Sequence, residues 1–360
     1  MSKTHRRLWC IVFAGLLVVP LTGCPSNGSG TGGGSGVAAR RQFLSMGTAP
    51  VGGAFQLVGG TIAEVLNNHV GTIDWKLHAK GTKGSQQNIR QLQQGELQLA
   101  LTNAAITYFA VRGEASWDKK YDMRAIVTLA PNVAMFITKS DSGINTMADL
   151  SGRTVTIGPA GAGFEMFVRP LVEEHGVAWD DITHRNATQN GAVDMLADGS
   201  AHAAFLGGAV PTSSIRQAAS TFDVHFVPFE EGSRQSLIQN YPFFHEATIP
   251  AGTYPEQDQD FQGLNVGSMQ LITSADQDEE LIYQITKTIW ENRAEIASQH
   301  PAGKAINEKN AARHTGTDFH PGAQRFYEEI GIWPAAKGAP AANDLADPGT
   351  EKSETPAKNE

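Results

Sequence analysis

Four short stretches of glycine and small residues carry the chemistry open to this sequence: residues 47–53, 81–85, 158–163 and 207–211. Each follows an apolar run and opens a segment with helical periodicity. A helix N-terminus leaves backbone N–H groups unpaired and carries partial positive charge, which suits an anion. One such contact contributes ~0.3–1 kcal/mol when exposed and up to ~2 kcal/mol when partly buried. Any one of these stretches is also what a tight turn requires of glycine. Four of them at corresponding places in two halves of the chain point to a shared anion site, although spacing does not name the anion.

Catalytic signatures are weak or missing. The chain has no G-x-S-x-G, no H-E-x-x-H and no complete P-loop, and 158–163 matches a phosphate-cradling turn only loosely. Ser116 and Lys119 match S-x-x-K by letters, but Trp117, Asp118 and Lys120 around them describe a solvated loop. The histidines are scattered without metal-ligand spacing. The expectation is therefore a protein that is not an enzyme, with no metal and no cofactor.

Chemistry of another kind is written at the N-terminus. Lys3, Arg6 and Arg7 precede an apolar run over 8–21, and Leu21, Thr22 and Gly23 lead into Cys24. Charge, apolar core and small residues in that order make a secretory signal, and the run is short of the ~20 residues that a membrane span needs. A cysteine after Leu-Thr-Gly matches the bacterial lipobox, in which that residue is acylated. The expectation is a signal peptide over 1–23 and lipidation at Cys24. Cys10 is the one other cysteine and lies in the removed segment, so the mature chain has no internal disulfide even in a compartment that permits one. Residues 24–39 are mostly Gly and Ser and predict a flexible tether with a reach of roughly 20 Å. Residues 337–360, rich in Ala, Pro and charge, predict a disordered tail.

Those loops must be positioned by regular elements, and the remaining residues supply them. Runs at 43–46, 73–79, 97–101, 126–129, 135–138, 154–157, 202–206, 224–227 and 264–272 read as strands. Helical periodicity covers 55–68, 85–94, 163–175, 191–198, 211–219 and the segment from Asp276 onward, where Ser274 to Gln277 reads as a capping box. Alternation of strand and helix predicts parallel sheets covered on both faces, and ligands of such sheets bind beyond the carboxyl ends of the strands. About 300 residues exceed what one core usually serves. The expected division is 40–130 plus 249–336 as one α/β domain and 131–248 as another, with crossings near 129–133 and 248–265 acting as a hinge. The formal charge of −9 argues against a nucleic-acid partner.

Several blocks in order carry a family resemblance: MGTAPVGG at 46–53, KGTKGSQQN at 80–88, QGELQLAL at 94–101, DSGINTMADLSGR at 141–153, IPAGTY at 249–254 and HPGAQRFY at 320–327. The chain resembles the TRAP-associated extracytoplasmic immunogenic (TAXI) solute-binding proteins across nearly all of 40–333. That resemblance implies a periplasmic-binding-protein-like α/β fold with a ligand cleft between two hinged domains. It implies a small carboxylate ligand, delivery to a TRAP membrane subunit, and a monomer held at the extracytoplasmic or periplasmic face. Carried over by position, the ligand-binding residues are Gly47, Thr48, Gly53, Phe55, Ser85, Asn88, Asn103, Gly161, Ala162, Gly163 and Phe164. A binding module that reports to a sensor, or a secreted α/β hydrolase or transferase, are the alternatives.

Departures from the family pattern share a direction. Family members often read GGTYY where this chain has Gly52, Gly53, Ala54, Phe55 and Gln56, and GSGT where it has Gly161, Ala162, Gly163 and Phe164. Asn103, Ala104 and Ala105 stand where a polar stretch with Asp is usual, and Ala130 replaces a frequent Tyr. Lost hydroxyls would leave a second charged group of a solute desolvated without partners. The expected ligand is thus a monocarboxylate with an apolar body near Phe55 and Phe164, preferred over glutamate, unless Lys83 or Gln56 supplies the polarity.

Overall fold

The computed structural model describes residues 41–50 and 54–334. The expected signal peptide (1–23), Cys24, the expected tether (24–39), Gly53 and the expected tail (337–360) all lie outside the described residues.

From the first strand the chain runs β1 (Gln42–Gly47), α1 (Ala54–Asn68), β2 (Trp75–Lys80), α2 (Ser85–Gln93), β3 (Leu99–Asn103), α3 (Ala104–Arg112) and β4 (Met123–Thr128). It continues through β5 (Val133–Lys139), β6 (Thr154–Thr156), α4 (Glu165–Glu174), β7 (Thr183–Arg185), α5 (Gln189–Ala197), β8 (Ala203–Gly208), α6 (Ser213–Ala219) and β9 (Val224–Val227). The last third holds α7 (Glu231–Asn240), β10 (Phe244–Ile249), β11 (Phe261–Val266), β12 (Met269–Ser274), α8 (Glu279–Glu291), α9 (Arg293–Gln299) and α10 (Pro321–Glu329).

Two sheets result. The first has the order β2-β1-β3-β12-β4, and the second β10-β11-β5-β8-β6-β7 with β9 also on β5. The α/β expectation holds, but the sheets are mixed. β1, β2 and β3 run parallel, as do β6, β7 and β8, whereas β12 is antiparallel to β3 and β4 and β5 to β8, β9 and β11. A buried strand reads as the same apolar run in either direction, so composition does not report its sense.

The chain passes between the sheets twice. The outward crossing runs over 129–133, between β4 of the first sheet and β5 of the second; the sequence reading puts the return at 248–265. There β10 and β11 form an antiparallel hairpin within the second sheet, and β11 pairs with β5. Residues 249–266 therefore belong to the second sheet, and the crossing is the short step from Val266 to Met269. The two crossings are bonded together: Leu129 N–H donates to Met269 O at 2.7 Å, Met269 N–H to Ala130 O at 2.9 Å, and Val266 N–H to Asn132 O at 2.9 Å.

Helix boundaries follow from local chemistry. Asn103 caps α3 by accepting from Ala105 N–H, and Gly113, at φ 70°, ends it in the left-handed conformation. α8 is capped by Asp278, which accepts from Leu281 N–H, and not by the box at Ser274. Leu281, Ile282, Ile285 and Ile289 then face inward at helical spacing.

Three apolar clusters cover these sheets. Val58, Ile62, Leu66, Ile282, Ile285 and Phe326 pack on the outer face of the first sheet. Val193, Leu196 and Ile215 pack on the outer face of the second. The third cluster is shared: Ile89, Ile106 and Phe109 from the first half join Phe136, Phe167, Phe205 and Phe243 from the second. One core thus runs from the helices on the inner face of the first sheet, α2 and α3, to those of the second, α4 and α7.

Candidate ligand-binding site between the two sheets

The carboxyl ends of β1 and β3 are drawn together by Asn88. This residue is fully buried, and its Nδ2 donates to Thr48 O and to Leu101 O, both at 2.8 Å. Among the described residues its Oδ1 has no hydrogen-bond partner. A Cβ on Gly47 would stand 2.5 Å from that oxygen, so only the α-hydrogen of a glycine fits there. Thr48 is buried as well, and both its N–H and its hydroxyl donate to Lys80 O at 2.9 Å.

This fixed floor presents the start of α2. Lys83 N–H donates to Gln87 Oε1 and Gly84 N–H to Thr82 Oγ1, while no acceptor among the described residues meets the N–H groups of Ser85, Gln86 and Gln87. Gly84 sits at φ 121°, a conformation that side chains oppose. Ser85 Oγ accepts from Asn103 N–H at 2.9 Å, which leaves its proton to donate. Lys80 and Lys83 are exposed beside it. Neither 80–88 nor 158–164 contains an acidic residue, so the local field favours an anion.

The second sheet answers with its own loop. Gly161 and Gly163 have φ of 77° and 90°. A Cβ on Gly84 would lie 3.3 Å from Ala162 Cβ, and one on Gly163 would lie 3.3 Å from Ile106 Cδ1 and 3.4 Å from Gln86 Cβ. The loop is seated directly on the first turn of α2 and on α3. Asn186 Nδ2 anchors its base by donating to Gly158 O at 3.0 Å. The fourth stretch, 207–211, ends β8 at the same edge, and there Gln189 bridges Gly207 O and the Ser214 hydroxyl.

The structure thus brings Thr48, Ser85, Gly161, Ala162 and Gly163 to one seam. Asn88 and Asn103 belong to its frame, because their amide N–H groups are spent on backbone oxygens. Phe164 places its ring over Gly158 and against Phe167 and Phe205, with centroids 5.2 and 6.0 Å away. Phe55, half-buried, packs on the outer core of the first sheet. Ser116 donates to Glu165 Oε1 at 3.2 Å, a tie between the halves and not a nucleophile with a base. Sequence reasoning missed the aromatic contact of Tyr108 and Phe109 with Phe243, at 5.1 and 5.6 Å, because α3 was not separable from the apolar run before it. It also missed Arg313, which no motif marks. Among the described residues no group of three His, Cys, Asp or Glu side chains could hold a metal, and no helix is long and apolar enough to cross a membrane.

The model of the NMT1-like family matches residues 46–331. The chain belongs to the NMT1-like family. Solved structures show that this NMT1-like chain has a periplasmic-binding-protein-like fold. One is PhnD1 from Prochlorococcus marinus in complex with methylphosphonate, with a TM-score of 0.51 and 10% identity over 81% of this chain and 97% of that one. Another is a binding protein component of an ABC phosphonate transporter from Pseudomonas aeruginosa, with a TM-score of 0.50 and 9% identity over 72% of this chain and 78% of that one. At these identities the likeness is one of fold, and it agrees with the two-sheet architecture of this NMT1-like protein.

Proposed function

We propose that this protein is an extracytoplasmic solute receptor that captures a small carboxylate between its two sheets and presents it to a membrane transporter. One observation carries the reading. Three unpaired N–H groups and the Ser85 hydroxyl at the start of α2 face a glycine loop delivered by the opposite sheet, so an anion there would touch both halves at once. The N-terminal signal and Cys24 support a periplasmic or extracytoplasmic location with a lipid anchor. The ordered blocks that resemble TAXI proteins support a TRAP membrane subunit as the partner.

Side chains of the seam are small, and Phe164 and Ala162 are occupied in packing. Backbone donors then do the holding, which favours one carboxylate with an apolar body over a diacid. Methylphosphonate, the ligand of the PhnD1 structure, is the competing anion chemistry. Ligand that binds only the folded form raises the melting temperature. A thermal-shift screen of glutamate, 2-oxoglutarate, branched and aromatic 2-oxo acids and methylphosphonate tests the reading. Stabilisation by a 2-oxo acid above the others is the expected result, tighter binding of a diacid overturns the apolar preference, and consumption of the compound overturns the receptor reading in favour of an enzyme.

A further inference from the structure

Beyond the seam, behind the two crossings, lies a buried cation without a counter-charge. Arg313 is 7% exposed. Its Nε donates to Asn310 Oδ1 at 3.0 Å and one Nη2 proton goes to Ser268 Oγ at 2.6 Å; both acceptors are neutral. Among the described residues it pairs with no carboxylate, and three of its five N–H protons have no acceptor. Burial alone pulls the Arg313 guanidinium down to about 10.

Its surroundings are short of partners in a consistent way. Ser268 Oγ already accepts from Arg313 and from Asn265 Nδ2 at 2.8 Å, so its remaining capacity is to donate. His245, held opposite Asn265 in the β10–β11 ladder, has a buried Nε2 without a partner, and burial followed by the Arg313 charge pushes it down to about 3. It is therefore neutral, with one ring N–H to give. The segment carrying Arg313 is tied to the first sheet through Thr128 Oγ1, which donates to Arg313 O at 2.8 Å, and through Gln270 Nε2, which donates to Thr315 Oγ1 at 2.7 Å. Among the described residues Gln270 Oε1 has no donor.

We propose that Arg313, with the hydroxyl of Ser268 and the ring of His245, forms a buried seat for one monoanionic group. The group is either the charged head of the captured solute or a free small anion. The solute arm deepens the receptor reading and rests on it. Charge-assisted bonds to a guanidinium are roughly twice as strong as neutral ones, so this seat adds to the anion preference of the α2 start.

The test uses the folded mature protein as wild type, Arg313→Gln and Arg313→Lys, with circular dichroism to establish that each is folded. Each is titrated with sodium chloride, sodium acetate and 4-methyl-2-oxopentanoate in low-salt buffer, by melting temperature and calorimetry. Saturable stabilisation of wild type by chloride or acetate, weakened about tenfold or more in Arg313→Gln and partly kept in Arg313→Lys, assigns the seat to a free anion. The same pattern with 4-methyl-2-oxopentanoate alone assigns it to the solute. Without any anion, Arg313→Gln melts at or above wild type, because an unpaired buried charge has been removed. An Arg313→Gln protein less stable than wild type in every buffer overturns the proposal in favour of a structural arginine. Equal titration of wild type and Arg313→Gln also overturns the seat while leaving the receptor reading standing.

Discussion

The side-chain amide of Asn103 donates to Gly267 O at 2.9 Å, while its carbonyl accepts from Ala105 N–H at 2.8 Å. One residue thus caps α3 and fastens it to the return crossing. A side chain at Gly267, which sits at φ 106°, would collide with that same carbonyl.

Asn103→Ala removes the cap and leaves the carbonyls of Val266 and Gly267 without their donor. The expected loss is about 1–3 kcal/mol of stability, read as a lower midpoint in urea. An unchanged midpoint would remove Asn103 from its bracing role.

Gly84→Ala forces a side chain into a conformation almost restricted to glycine and toward Ala162. Strain of that kind costs of order 1–3 kcal/mol. Solute affinity should fall along with thermal stability, whereas Gly95→Ala, strained likewise but open to solvent, should lower stability alone. Calorimetry on both variants separates the two effects.

The shared inner core predicts that both halves melt together. Scanning calorimetry should give one transition, and fluorescence and circular dichroism should coincide. Phe243→Ala, which empties a fully buried site between α3 and α7, should cost about 3–5 kcal/mol without splitting that transition. Two separated transitions would contradict the shared core.

His175 is buried, with Nδ1 2.7 Å from Leu171 O and Nε2 accepting from Glu230 N–H at 3.2 Å. Burial lowers its affinity for a proton below the ordinary 6.5. The unfolded chain takes up that proton first, so the stability is present above about pH 6.5 and is lost as pH falls below it. The slope per histidine is at most about 1.4 kcal/mol per pH unit. Urea midpoints at pH 7.5 and pH 5 should show the drop, and His175→Gln should flatten it.

Cys24→Ser should move the protein from the membrane pool to the soluble pool without altering solute binding. Membrane fractionation reads the result, and an unchanged membrane pool would rule out anchoring through this residue.

Much of this architecture was legible because burial leaves a periodic trace. Leu44 and Met46 in β1, and Val58, Ile62 and Leu66 in α1, announce their elements directly. α3 left no such trace. It follows β3 without a loop, and Ala104, Ala105, Ile106, Phe109 and Ala110 are all buried, so strand and helix merge into one apolar run. The return crossing was misplaced because β10 and β11 are joined by a Pro- and Asp-containing stretch that resembles a linker. In the site, glycine spacing pointed to the loops. It could not reveal that Asn88 and Asn103 turn inward to the backbone, or that Arg313 would be buried about 50 residues beyond the β10–β11 hairpin it faces.

The inner core carries a consequence for engineering. A receptor built from two separable modules would let one half be exchanged for that of a relative to transplant specificity. Here Phe109 and Phe243 come from opposite halves and fill one space, so a chimera joined at the crossings would inherit mismatched faces. Specificity in this scaffold is accessible to grafting at the level of loops, chiefly 81–85 and 158–163, and not at the level of halves.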